Sequence, residues 1–350
     1  MIRATIACFI AFCAYVSFAA EEIISYRLMG QHNPRVDFVQ GKSSSAEAAH
    51  ELVFAVKQHN LVELDQLLVE RSTPGNHLYQ QWLSFEEVGE MTSNVEGAKA
   101  VEDWLAENNI EVSWKTIHSD YIRATAKISQ WEQMLNTKFY EFEDLHSSNR
   151  KGVIHRAVDY SLPEHIADHL HAVFNTVQVP PVMHRTSSEL KVRGHLRTQK
   201  NIVSGETTVD LLNEFYGMNN LLGNSSMTQT VFATDNNFFS PQDLTTFQEK
   251  NSLLTQAAAS PYGHTKSECA GQTCTEGNLD LQYIMGVAQN VATTYWYVQN
   301  TTNSDPFLNW VTQVANEPRP SYVNSMSWGA TEQVRNLGLR KPTYMLTISY

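Results

Sequence analysis

Thr228 to Thr234 reads TQTVFAT, and Ser240-Pro241-Gln242-Asp243-Leu244 follows shortly after. The first stretch is a short apolar run of the kind that both faces of a parallel sheet bury. The second is a helix start, with Ser as N-cap and Pro in the first turn. The same alternation recurs downstream. Thr293 to Val298 is another apolar strand. Asp305-Pro306 opens a second helix, with Phe307, Trp310, Val311 and Val314 near one face, and Tyr322 to Trp328 is a third strand. Strands separated by helices predict a parallel sheet covered on both faces.

Upstream the pattern differs. From Ser45 to Gln178, short strands and helices interleave without long crossovers. Ala46 to Asn60 is predicted as a helix, with Leu52, Val53, Val56 and His59 near one face, and a further helix runs over Leu61 to Val69. Thr73-Pro74-Gly75-Asn76 is a turn. Ser84 followed by Glu87 is a capping box opening a short helix to Met91. Glu96 to Asn108 is a helix carrying Val101, Trp104 and Leu105. Val112 to Ile117, Tyr121 to Ile128 and Lys138 to Phe142 are strands around a helix at Gln130 to Leu135. This predicts an α+β sandwich with a mainly antiparallel sheet.

Between the halves, Val179 to Gly205 carries Pro180-Pro181, Arg185, Lys191, Arg193, Arg197 and Lys200 among Ser, Thr and Gly. It reads as a solvated linker, or as a processing linker within reach of a protease, because nicking concentrates in exposed segments. At the other end, Arg3, the apolar run Ala4 to Phe18 and the small residues around Ser17-Phe18-Ala19 form a secretory signal peptide over 1–19. The expected organisation is thus 1–19 signal peptide, 20–178 first domain, 179–205 linker and 206–350 second domain. No other stretch is apolar enough to span a membrane.

Composition narrows the function. The 350 residues are 42% hydrophobic and 18% charged, which suits a globular core. Lys+Arg 25 against Asp+Glu 37 leaves a net charge of −12, which disfavours nucleic acid and anionic membranes as partners. Of 4 Cys, the signal peptide removes Cys8 and Cys13. Cys269 and Cys274 remain, and an oxidising compartment would let them close a small disulfide loop. Asn224-Ser225-Ser226 and Asn300-Thr301-Thr302 are glycosylation sequons.

Thr275 to Asn290, TEGNLDLQYIMGVAQN, is a helix with little polar face. Yet Glu276 and Asp280 lie on it, four apart and on one side. Two readings stand. They are solvated acids near a helix N-terminus, where the dipole favours them. Or they are a partly buried pair with coupled titrations that share a proton. Such a pair can accept a proton in acid, where histidine is already charged. His165, His169 and His171 are close in sequence, but no acidic or Cys ligand completes a metal site, so they are read as surface histidines.

Several marks in order now matter together. They are His50-Glu51-Leu52, Leu67-Leu68, the Ser72-to-Tyr79 turn with Trp82-Leu83-Ser84, the Val101-to-Leu105 helix, and Tyr160-Ser161-Leu162-Pro163-Glu164-His165. Further on come Leu211 to Tyr216, Phe239-Ser240-Pro241, and Glu276-x-x-x-Asp280 with Leu281-Gln282-Tyr283. From about Ala49 to Ser327-Trp328-Gly329 the chain resembles the sedolisin family of serine-carboxyl peptidases, tripeptidyl peptidases among them. The resemblance implies an activation propeptide with a ferredoxin-like antiparallel sheet and helices, then the start of a subtilisin-like α/β domain. It implies hydrolysis of peptide bonds in acid, with the propeptide as intramolecular inhibitor and folding aid. Glu276 would be the general base and Asp280 the group that orients it.

The family's nucleophile lies in a Gly-Thr-Ser segment and its oxyanion Asp in a Ser-Gly-Asp segment. Neither occurs here. The family's calcium site, nearer that domain's C-terminus, is also beyond these residues, so no cofactor is expected in this chain. The expectation is a truncated peptidase domain that is inactive alone. The product would be secreted, or sent to a lysosome- or vacuole-like compartment. The alternative is a propeptide-like inhibitor or chaperone acting in trans on a complete peptidase.

Overall fold

The computed structural model describes residues 25–145, 153–180, 184–185, 207–218, 222–262, 274–299 and 305–329. The expected signal peptide and most of the linker lie outside them.

The first half begins with strands β1 (Tyr26–Gln31), β2 (Phe38–Ser43) and β3 (Ala49–Val56). Helices α1 (Leu61–Ser72), α2 (Phe85–Thr92) and α3 (Val95–Glu107) follow. Then come β4 (Val112–Lys115), β5 (Tyr121–Lys127), α4 (Ile128–Met134), β6 (Phe139–Asp144), β7 (Val153–Ala157), β8 (Asp159–Pro163), α5 (Glu164–Ala167) and β9 (Leu170–Phe174). The main sheet is antiparallel in the order β4-β5-β3-β9, so its first strand lies between its third and its last. That is the ferredoxin-like order. Strands β2-β6-β7 and β1-β8 form two further antiparallel sheets. Leu52, Phe54, Val101, Leu105, Ile122, Trp131 and Phe139 are in its buried core.

The predicted helix at Ala46 to Asn60 is instead strand β3. Leu52, Phe54 and Val56 face the main core. Val53 and Ala55 face the other way and are buried too, with Tyr121, Phe174 and Leu308. Burial on both faces erases the alternation that marks a strand, leaving an apolar run that periodicity cannot assign. Local chemistry was more legible at α2. Ser84 Oγ accepts from the Glu87 amide at 3.2 Å, and the Glu87 carboxylate accepts from the Ser84 amide at 2.7 Å. The three histidines do not share a helix. His165 is exposed on α5, His169 half-buried after it, and His171 exposed on β9.

The second half comprises β10 (His184–Arg185), α6 (Val209–Tyr216), β11 (Thr228–Ala233), α7 (Pro241–Lys250), β12 (Ala259–Tyr262), α8 (Thr275–Val287), β13 (Ala292–Tyr297), α9 (Pro306–Val314), β14 (Val323–Ser325) and β15 (Trp328–Gly329). Its sheet, ordered β12-β13-β11-β14, is parallel throughout, as the βαβ pattern predicted. Val231, Ala233, Tyr295 and Tyr297 pack with Leu244 of α7 and Leu281 and Met285 of α8 on one face. Phe232, Trp296 and Val298 pack with Trp310 and Val314 of α9 on the other. Strand β10 pairs antiparallel with β15.

The halves meet at α9. Leu308 fills the outer face of the four-stranded sheet between Val53, Ala55, Tyr121 and Phe174. Arg123 stacks its guanidinium over Trp114 at 4.8 Å and donates to Asn309 Oδ1 and Thr312 Oγ1 at 3.2 and 2.7 Å. The Ile117 amide donates to Asn316 Oδ1 at 2.7 Å.

Candidate active site

Helix α8 starts at Cys274, a disulfide-bonded residue that is almost fully buried. Its expected partner, Cys269, lies outside the described residues. The next turn carries Glu276, with only 6% of its surface exposed. Gly277 sets how closely the helix approaches the sheet. A Cβ there would overlap the Phe238 carbonyl oxygen and the Tyr295 hydroxyl, so only glycine fits. Asn278 anchors the same turn. Its Oδ1 accepts from the Ser240 amide at 2.9 Å, and its Nδ2 donates to Asp243 Oδ2 at 2.7 Å. The start of α8 is thus tied to the start of α7, where Ser240 Oγ caps the Asp243 amide. The helix is less buried than its sequence predicts, since Leu279 remains 43% exposed.

Asp280 is half-buried one turn beyond Glu276. Ser327, between β14 and β15, donates its hydroxyl to Asp280 Oδ1 at 2.8 Å. Burial pushes the Asp280 carboxyl up to about 6, against the pull of the Ser327 hydrogen bond and with a further push from the Glu276 charge. Tyr295 lies beneath the pair and donates to the Asn237 carbonyl at 3.1 Å. Its phenol is raised first by burial and next by the Asp280 charge. Glu276 has no hydrogen-bond partner among the described residues. Glu276 is thus buried and Asp280 half-buried, four residues apart on α8.

Ser327 and Tyr295 were not legible as site residues. Ser327 is 47 positions from Asp280, and only the parallel sheet brings the two elements together. Asn224 is exposed in a turn, its Oδ1 accepting from the Ser226 amide at 3.0 Å. Asn300 lies outside the described residues. Among those described, no cluster of His, Cys, Asp and Glu is placed to hold a metal, and no helix is long and apolar enough to cross a membrane.

Comparison with known proteins shows what the chain is similar to. Residues 37–179 match the family described as Pro-kumamolisin, activation domain. The chain is 27% identical to Tripeptidyl-peptidase 1 of Dictyostelium discoideum over 316 residues, 81% of this chain and 52% of that protein. It is 27% identical to Physarolisin of Physarum polycephalum over 306 residues, 85% of this chain and 49% of that one. Against Tripeptidyl-peptidase 1 of Mus musculus the identity is 24% over 289 residues, 80% and 50% of the two chains. The chain spans about half the length of these curated relatives. The chain is similar to the tripeptidyl peptidase 1-like precursors of the sedolisin family, with the match to the activation domain at residues 37–179.

Proposed function

We propose that this chain is the precursor part of a secreted acid peptidase of the sedolisin type, an endopeptidase or a tripeptidyl peptidase acting on peptides and proteins. The observation that carries the reading is the pair of buried Glu276 and half-buried Asp280, in a chain whose first half matches an activation domain. Glu276, with no competing hydrogen bond among the described residues, is the general base that takes the proton of a serine nucleophile. Asp280, held by Ser327 and raised in acidity range by burial, orients Glu276 and shares its proton. A carboxylate base still works in acid, where an imidazole base would be charged. The serine and the oxyanion donor belong to the Gly-Thr-Ser and Ser-Gly-Asp segments that these residues do not include, so the 350 residues alone are expected to cleave nothing. The first half docks on α9, and strand β10 of the linker lies along β15, next to Ser327. Both contacts suit a propeptide that keeps the site covered until the linker is cut.

The test is the intact mass and C-terminal peptide of the natural secreted protein, followed by peptide hydrolysis at acidic pH. A product that continues into both missing segments, and loses activity on Glu276→Gln, supports the reading. Cleavage that survives Glu276→Gln overturns it.

A second reading rests on the first half closing a core of its own around Trp131 and Phe54. Such a domain can act in trans as an inhibitor or chaperone of a complete relative. Tight inhibition of a tripeptidyl peptidase by residues 20–178 would support it, and no effect at high concentration would remove it.

A further inference from the structure

One histidine, His50, is sealed in the core of the first half. It lies on β3, 3% exposed, and its Nε2 donates to the Asn175 carbonyl at 2.9 Å. A further proton must therefore go to Nδ1. The surroundings oppose a second charge. Across from β3, β7 supplies His155, whose ring centroid is 5.9 Å away, and Arg156, which is buried to 1% exposure. The Arg156 guanidinium donates to the carbonyls of Gln178 and His155. Phe139 of β6 covers the His50 ring edge-on at 5.4 Å. From α4, Trp131 reaches the strand and donates its indole N–H to the His50 carbonyl at 2.8 Å. His32, after β1, packs on Phe142 and bonds the Val177 carbonyl. Glu141 of β6 acts on His155. No carboxylate is bonded to His50 among the described residues.

The other face of the same strand is the docking surface. His50, Leu52, Phe54 and Val56 point inward, whereas Val53 and Ala55 point out against Leu308 of α9. Glu51, next to His50, lies 4.0 Å from Arg123, the residue that grips Asn309 and Thr312. The Asn175 side chain, whose backbone carbonyl holds the His50 ring, donates to the Glu51 carbonyl at 3.2 Å.

We propose that the His50–His155–Arg156 cluster is an acid sensor built into the activation domain, and that β3 transmits its protonation to the α9 interface, loosening the propeptide's hold. Acid charges His50 beside a cation that is already buried, strand β3 opens, and its outward face leaves Leu308. This proposal does not rest on the peptidase reading, because it concerns only the contact between the two halves.

The sign follows from linkage. Burial first, and the Arg156 charge next, hold His50 at about 3, against 6.5 for the free side chain. A lowered histidine stabilises the fold above pH 6.5, and that stability is lost as pH falls toward 3. Between pH 7 and pH 5 the open fraction of β3 should rise roughly 25-fold. Ordinary carboxylates remain mostly ionised over that window, and Asp120, whose carbonyl accepts from the Val56 amide, is raised by burial and works in the opposite sense.

Hydrogen exchange on the full chain tests this. In the natural sequence the protection factors of Leu52 to Val56 and of the α9 amides should fall together, by tens-fold, between pH 7 and pH 5. In His50→Gln, whose amide still reaches the Asn175 carbonyl, most of that fall should vanish while protection at pH 7 is kept. A fall unchanged in His50→Gln overturns the sensor. A fall in β3 with none in α9 overturns the coupling. If His50→Gln does not fold, the urea midpoint of the unaltered chain decides: a drop between pH 7 and pH 5 that His155→Gln reduces supports the cluster, and a flat midpoint overturns it.

Discussion

Each half of the molecule buries an ionisable group, and acid acts on the two in opposite directions. In the first half the group is His50, neutral when folded and charged by acid against Arg156. In the second it is Asp280, charged at neutral pH beside Glu276 and neutralised by acid. A carboxyl raised to about 6 stabilises its fold fully below pH 3.8, and that contribution is lost as pH rises through 6. One pH drop therefore weakens the activation domain and relieves the helix that carries the acidic pair. A single acidic pK shift could not do both. The separation needs two residue types in two cores.

The largest expected effects test whether these cores are separate. Trp131→Ala should cost the activation domain about 3–5 kcal/mol, because it empties a fully buried site and removes the indole bond to β3. Urea unfolding should show one transition moved and the second-half transition in place. A joint shift of both would break the comparison. Gly277→Ala should do the reverse. Its methyl would meet the Phe238 carbonyl and Tyr295, costing about 1–3 kcal/mol in the second half alone.

Asp280→Asn sharpens the contrast in sign. It should stabilise the second half at pH 7 by about 1–2 kcal/mol, discounted for partial exposure, and by nothing near pH 4. Thermal unfolding at the two pH values reads this directly, and a loss of stability at pH 7 would show that the charge is welcome there. The smallest effect is Ser327→Ala. Removal of its hydrogen bond should push the Asp280 titration higher still, by up to about 1 kcal/mol in coupling. Carboxyl NMR of labelled aspartate would follow it, and a downward movement would exclude Ser327 as the donor that eases ionisation.

What could be read from the sequence depended on how local its cause was. The Ser84–Glu87 box, the Ser240-Pro241 and Asp305-Pro306 helix starts, and the four-residue spacing of Glu276 and Asp280 are all settled within a turn. Each is present as expected. Strand β3 failed because its pattern is set by partners on both faces, one of them Leu308 in the other half. His50 gave no signal of its own. A histidine before an apolar run looks the same whether it faces water or a buried arginine. Ser327 and Tyr295 became visible only once the parallel sheet fixed which strand ends stand over α8.

Strand order has a consequence for synthesis. The central strand β3 cannot complete its pairing until β9 exists, and the His50–Asn175 bond closes a separation of 125 residues. At ribosomal rates of roughly 5–20 residues per second, β3 waits about 6–25 s after it is made. For that time an edge of seven consecutive buried or half-buried positions, His50 to Val56, lacks its partner. The nascent chain is therefore most exposed to mispairing before its own last strand emerges, and a chaperone that acts on it must do so on the ribosome or immediately after.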